Sequence, residues 1–213
     1  MAAGTSVDDL VRAVRAAGVH DERLLDAMRA TPRADFVPPG CASAAYDDGP
    51  VPIQHGQVTT QPSLSARMIA ALGLHGAEHV LEIGTGLGFQ TALLARLAAD
   101  VVTVERWPDM TEAARRSLAR HRIRNVELVV GDGTRGVPER APYDAVLVSA
   151  AFPRVPPPLV EQLRLGGRLV QPIGRGGWEE VTLFERTGTG LQRRSLLTFA
   201  SFVRLHGRYG FPS

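Results

Sequence analysis

Short apolar runs alternate with amphipathic stretches along most of the chain. Residues 6 to 17 place Val7, Leu10, Val11 and Val14 on one helical face, with Ser6 as the cap and Gly18 at the end. Asp21 to Ala30 repeats the pattern with Leu24, Leu25 and Met28 inward, and Thr31-Pro32-Arg33 stops it because proline restricts the residue before it. From Phe36 to Gln61 no period holds for long, and prolines stand at 38, 39, 50 and 52; a loop this long is usually functional or mobile. Pro62 opens a third helix that buries Leu64, Met68, Ile69 and Leu72. Strands are then expected at Val80–Ile83, Val101–Glu105, Val126–Val130, Ala145–Val148 and Arg168–Ile173. Helices between them carry Leu93, Leu94 and Leu97, run from Pro108 to about Arg122, and run from Pro156 to Leu165, where Gly166-Gly167 turns into the next strand. The remainder reads as two strands with a turn near Thr187–Gly190. The pattern predicts an α/β fold: a mostly parallel seven-stranded sheet with an antiparallel C-terminal edge and extra N-terminal helices. One domain is expected over residues 1–213, with helices and a loop at 1–75 and the sheet at 76–213.

One stretch changes the picture from fold to chemistry. The apolar run Val80, Leu81, Ile83 stops at Gly84-Thr85-Gly86-Leu87-Gly88, and a helix follows. Strand, glycine turn and helix form the nucleotide-binding opening of a doubly wound sheet. The glycines either permit positive φ or let the backbone approach a ligand, and the helix N–H groups face its electron-rich atoms. A dinucleotide fingerprint would need its third glycine at Phe89, and it would not carry Glu82 two residues ahead of the bend. An acid there repels a pyrophosphate but suits an ammonium and a sulfonium, which points to S-adenosylmethionine. Glu105 ends the next strand 21 residues after Gly84, where an acid can accept from both ribose hydroxyls. These features oppose an NAD oxidoreductase. A fold that binds the cofactor and only regulates a partner is the non-enzyme alternative.

Composition narrows the choice further. The chain has 213 residues, 44% hydrophobic and 22% charged, ordinary values for a globular protein. A net charge of +2 is too small to argue for nucleic acid or an acidic membrane. All 24 basic residues are arginine, which excludes Schiff-base chemistry and a phosphate-loop lysine. Cys41 stands alone, and His20, His75, His79, His121 and His206 do not fall at metal-ligand spacing with acids, so no metal is expected. The arginines at 115, 116, 120, 122 and 124 read as a solvated face. No leader and no membrane span is apparent, and a cytoplasmic location is expected.

A family resemblance rests on several segments together. They are Tyr46-Asp47-Asp48 with Pro52-Ile53, Gly56-Gln57-Val58-Thr59-Thr60-Gln61-Pro62, Leu81 to Gly86, Gly131-Asp132-Gly133, Ala141-Pro142-Tyr143-Asp144, Gln162-Leu163 and Gly166 to Val170. With Phe202-Val203-Arg204-Leu205, similar to a Phe-Val-Pro-Leu pattern, they resemble the protein-L-isoaspartate (D-aspartate) O-methyltransferases over roughly residues 31 to 205. The resemblance implies a Rossmann-like class I methyltransferase that moves a methyl group from S-adenosylmethionine to the α-carboxylate of isoaspartyl residues in proteins or peptides. It implies that Glu82, Gly84, Thr85, Gly86 and Gly88 hold the methionine part, that Glu105 holds the ribose, and that Asp132 and Gly133 border the adenine. Thr60 stands where the family has an active-site serine, within a substrate segment containing His55, Val58 and Thr59. Threonine keeps the hydroxyl but stiffens χ1. Thr59 and Thr60 could instead cap the helix at Pro62, and Asp132 could be a plain turn residue. Two enzyme alternatives remain: a carboxyl methyltransferase for aspartate in one dedicated peptide or protein, and a nucleic-acid amino-methyltransferase. The second is opposed by Ser149-Ala150-Ala151-Phe152-Pro153, which lacks the amide or acid that would hold an amine.

Overall fold

The computed structural model describes residues 6–212; the start of the stretch read for a leader, residues 1–5, lies outside the described residues. Helix α1 (Val7–Ala16) starts where the Ser6 hydroxyl accepts the Asp9 N–H, and α2 (Glu22–Arg29) where Asp21 accepts from Arg23 and Leu24. Each buries its predicted apolar face. The aperiodic segment after α2 is held in short 3-10 turns at Arg33–Phe36, Pro39–Ala44 and Gln54–Gly56, and α3 (Pro62–Leu72) follows.

The sheet consists of β1 (His79–Ile83), β2 (Asp100–Glu105), β3 (Val126–Val130), β4 (Tyr143–Val148), β5 (Leu163–Ile173), β6 (Glu179–Thr187) and β7 (Gly190–Ala200). Helices α4 (Phe89–Leu97), α5 (Pro108–Arg120) and α6 (Pro157–Glu161) connect its parallel strands. The spatial order is β3-β2-β1-β4-β5-β6-β7, with β6 and β7 antiparallel. Val80, Val101, Ala145, Leu147 and Val170 face a core shared with α1 to α4, while Leu81, Val102, Val104, Val146 and Leu169 face a second core with Leu159 and Leu205. Burial on both faces explains why these strands read as unbroken Val/Leu runs, each such side chain contributing about 1.5–3 kcal/mol.

Two predicted elements differ. The helix expected from Pro156 to Leu165 covers only Pro157–Glu161, because Leu163 already pairs with Tyr143 in the sheet. Gly166-Gly167 is then an irregularity inside β5, not a turn ahead of it: a Cβ on Gly167 would stand 2.9 Å from the Asp144 carbonyl oxygen. Helix α5 ends at Arg120, since Arg122 takes a positive φ of 55°. None of the described helices is long and apolar enough to cross a membrane.

Strand order reverses between β1 and β4, and a ligand cleft is expected beyond their carboxyl ends. The Ser149 N–H donates to the Ile83 carbonyl at 2.9 Å and ties the two ends together.

Candidate active site

A cleft opens at this switch point and encloses, with its mouth, about 940 Å³, a size suited to a nucleoside-sized ligand. The glycine bend forms one wall. Gly88 has φ +93°, and a Cβ on it would lie 3.2 Å from the Ala114 Cβ of α5, so glycine is required for conformation and for packing. Gly88 is also the N-cap of α4 and no side chain caps the helix, which leaves N–H groups of its first turn toward the cleft. On Gly133 a Cβ would collide with the Ile83 side chain, so this glycine lets the turn after β3 close on the end of β1.

The two acids sit at different depths. Glu105 borders the cleft; Oε2 accepts from the Gly86 N–H at 2.9 Å, and Oε1 from the N–H groups of Arg106 and Trp107 at 2.8 and 3.2 Å. Glu82 is 0% exposed and does not reach the cleft surface. Its Oε1 accepts from Gln90 Nε2 at 3.1 Å, and its Oε2 from the hydroxyls of Thr91 and Thr103 at 2.5 and 2.7 Å. Burial pushes the Glu82 carboxyl up to about 7 against the pull of those donors, and the Glu105 charge adds to the rise. Burial also raises Glu105, opposed by its three backbone donors.

The long loop supplies the facing wall through Ile53, Gln57, Val58, Thr59 and Thr60. Arg33, only 1% exposed, holds it from beneath: Nη1 donates to the carbonyls of Ala45 and Asp47 at 3.2 and 3.1 Å, and Nη2 to the Gly49 carbonyl and the Thr59 hydroxyl at 2.9 and 2.8 Å. Burial lowers the Arg33 guanidinium to about 10, which leaves it charged at neutral pH. Thr59 Oγ1 also accepts the Val51 N–H at 3.0 Å. The N-terminus of α3 is capped from this loop by Asp48, whose oxygens accept from the Ser63 N–H at 2.8 Å and Gln61 Nε2 at 2.9 Å. Neither threonine caps the helix. The Thr60 hydroxyl borders the cleft with no hydrogen-bond partner among the described residues.

The structure thus brings together Gly84, Thr85, Gly86, Gly88, Glu105, Gly133, Val58, Thr59 and Thr60 around one cleft. Glu82 lies behind it. His55 and Asp132 are not on its surface. The His55 ring stacks on Trp107 with centroids 3.9 Å apart, and its Nε2 lies 2.9 Å from Asp109, so it pins the loop to α5. Asp132 spends its carboxylate on the chain itself: Oδ1 accepts from the Thr134 N–H and hydroxyl, and Oδ2 from the Arg208 N–H at 2.8 Å. Partial burial works against ionisation, yet these donors hold Asp132 below the usual carboxylate range.

Gln90, Trp107 and Ser149 also line the cleft. Trp107 stands two residues after Glu105 and Gln90 opens the helix after the bend, the only signals the sequence offered for them. Arg33 had none, since its partners are mostly backbone carbonyls.

Comparison with known proteins agrees with this geometry. The family model for protein-L-isoaspartate(D-aspartate) O-methyltransferase matches residues 5–210. The chain belongs to that family. It is 49% identical over 199 residues to a protein-L-isoaspartate O-methyltransferase of Methanoculleus marisnigri, covering 93% of this chain and 90% of the relative. Identity to one of Anaeromyxobacter dehalogenans is 48% over 190 residues, covering 88% and 91%. A solved protein-L-isoaspartate O-methyltransferase superposes with a TM-score of 0.82 at 30% identity, covering 96% of this chain and 67% of that one.

Whether S-adenosylmethionine suits these residues is tested by two orphaned polar atoms. Trp107 Nε1, a donor, and Gln90 Oε1, an acceptor, are both buried on cleft-lining residues and have no partner among the described residues. A ligand carrying hydroxyls, an ammonium and a purine can satisfy both kinds of group, and the exposed helix N–H groups suit its carboxylate. The residues fit the group.

Proposed function

We propose that the chain, acting in the cytoplasm, transfers a methyl group from S-adenosylmethionine to the free α-carboxylate of L-isoaspartyl residues in damaged proteins and peptides. Membership of the family supports the reaction. The observation that carries the site is a single cleft joining the glycine bend to Thr60, whose hydroxyl has no partner among the described residues.

When bound, S-adenosylmethionine supplies an electrophilic methyl carbon on a sulfonium. The first turn of α4, with the bend N–H groups not already given to Val104, Glu105 and Thr85, would hold its amino-acid end, with Thr85 inside the bend and Glu82 fixing Gln90 and Thr91 from behind. Glu105 accepts from the ribose and Gly133 leaves room beside the base. Asp132 acts at one remove, by fixing the tail and the turn after β3. A carboxylate with an ordinary pKa near 4 is ionised at neutral pH, so no general base is required. What the protein must supply is alignment and exclusion of water. Thr60 donates a hydrogen bond to one carboxylate oxygen and leaves the other free to attack. Val58 and Ile53 cover the pocket, and His55 secures the loop that carries them.

Radiolabelled methyl transfer to an isoaspartyl peptide, released as a base-labile ester, tests the reaction, with the ordinary aspartyl peptide as control. Thr60→Ala should lower turnover tenfold or more, roughly 1.4 kcal/mol of transition-state stabilisation, with cofactor affinity nearly unchanged. Undiminished turnover would remove Thr60 from the chemistry.

A further inference from the structure

The cleft has an unanswered positive charge on its rim. Arg204 borders it, held in place by its neighbours: the Ala151 N–H donates to the Val203 carbonyl and the Leu205 N–H to the Ala151 carbonyl, both at 2.8 Å. The Arg204 N–H itself has no acceptor among the described residues, so a proline would satisfy the backbone here equally well. The backbone therefore does not select arginine at this position.

The side chain is placed by aromatic rings. Arg204 Cζ lies 5.2 Å from the Phe211 ring centroid, Phe211 meets Phe152 edge-on at 5.1 Å, and Arg154 Cζ lies 5.8 Å from the Phe152 centroid. One aromatic pair carries a guanidinium on each side. Neither guanidinium forms an ion pair or hydrogen bond among the described residues. Other arginines are answered by acids, as Arg140 is by Glu127, Arg193 by Glu180 and Arg194 by Glu185. No Asp or Glu occurs from Thr187 to the C-terminus, and Glu179 at the start of β6 is fully buried, accepting the Phe202 N–H at 2.9 Å.

We infer that Arg204 is a specificity-determining cation that recognises an acidic side chain flanking the isoaspartyl residue of a peptide in the cleft. The inference rests on the reaction proposed above. Rings that pre-order a guanidinium reduce the entropy lost on pairing, which gives this cation more effect than a free surface arginine.

The test uses two isoaspartyl peptides identical except for Glu or Gln on both sides of the reacting residue. In the wild type, kcat/KM should favour the Glu peptide by about threefold at low salt, and the preference should fade at high salt. Arg204→Gln should bring the ratio to about one and Arg204→Glu should invert it, with S-adenosylhomocysteine binding as the check that each variant is folded. Anisotropy of the same peptides, fluorescein-labelled, reads the preference without turnover. Equal wild-type values for the two peptides, or a ratio untouched by Arg204→Gln, overturns the inference. Preferential binding of the Glu peptide without methylation of either would keep the recognition and overturn the reaction.

Discussion

Each wall of the cleft rests on one buried ionisable group. Beneath the glycine bend, Glu82 is surrounded by the neutral donors Gln90, Thr91 and Thr103. Beneath the long loop that faces it, Arg33 is surrounded by three backbone carbonyls and the Thr59 hydroxyl. These partners are neutral in both cases, although the Asp48 and Asp47 charges act on Arg33 from nearby. Neutral dipoles satisfy a buried charge without cancelling its field, whereas an ion pair would cancel it. The two walls meet at the start of α4, where the Arg33 guanidinium lies 6.0 Å from the Phe89 ring and Glu82 holds the next two residues. They differ in what they order. Glu82 joins regular elements that the sheet would form anyway, while Arg33 organises backbone that has no ladder of its own.

That difference makes the walls separable, and Arg33→Met should have the largest effect. It strands three carbonyls and a hydroxyl beneath the loop, so kcat/KM for an isoaspartyl peptide should fall about 100-fold while cofactor affinity changes by less than about threefold. Arg33→Lys should recover only part of the loss, because one ammonium cannot reproduce the fork. Titration calorimetry with S-adenosylhomocysteine alongside peptide kinetics checks the split; an equal loss on both would merge the walls into one unit. Glu82→Ala is the converse case. It removes the acceptor of Thr91 and one of two partners each of Gln90 and Thr103, and cofactor affinity should weaken by roughly 30-fold with peptide KM at saturating cofactor little changed. A displaced peptide KM with intact cofactor affinity would refute the assignment.

The same contrast explains what the sequence could reveal. The bend, Glu82 and Glu105 were legible because a regular strand fixes which residue arrives at its carboxyl end, and the strand pattern is written in Val and Leu. The sequence could not say that Glu82 turns inward and Glu105 toward the cleft, since that depends on hydroxyls from α4 and β2. Arg33 was invisible because backbone carbonyls are offered by every residue type. Asp48 reaches Ser63 across 15 positions, so the cap of α3 could not be found by looking next to the helix. Asp132 sat in a recognisable turn, but its partner Arg208 lies 76 positions away. The Pro156 helix failed for a local reason: the pairing of Leu163 with Tyr143 outweighed a short proline-led turn.

Within the cofactor wall, Glu105→Ala should be milder than Glu82→Ala. Its carboxylate braces the bend through the Gly86 N–H, but its backbone donors border the cleft and can turn to water or ligand once the acid is gone. Cofactor affinity should drop about tenfold, and unaltered affinity would remove the ribose role.

The smallest effect sharpens the comparison most, because it belongs to one wall alone. Folded Glu82 keeps its proton to about 7, whereas an unfolded glutamate loses it near 4.5. Its contribution to stability is therefore complete below pH 4.5 and lost as pH climbs through 7. Ligand binding has the opposite sign. A sulfonium and an ammonium placed beyond the bend favour the carboxylate over the acid, so the bound form should hold this proton less tightly than the free form. Affinity for S-adenosylmethionine should rise by about five-fold between pH 6 and pH 8, with proton release detectable as a buffer-dependent binding enthalpy. Glu105, raised in the same direction, adds a rise of the same sign, so Glu82→Gln is the decisive variant: it should flatten most of the slope. Arg33, charged throughout this range, should contribute none, and the slope should survive in Arg33→Lys. A slope that vanished there would place the titrating group under the loop and reverse the roles given to the two walls.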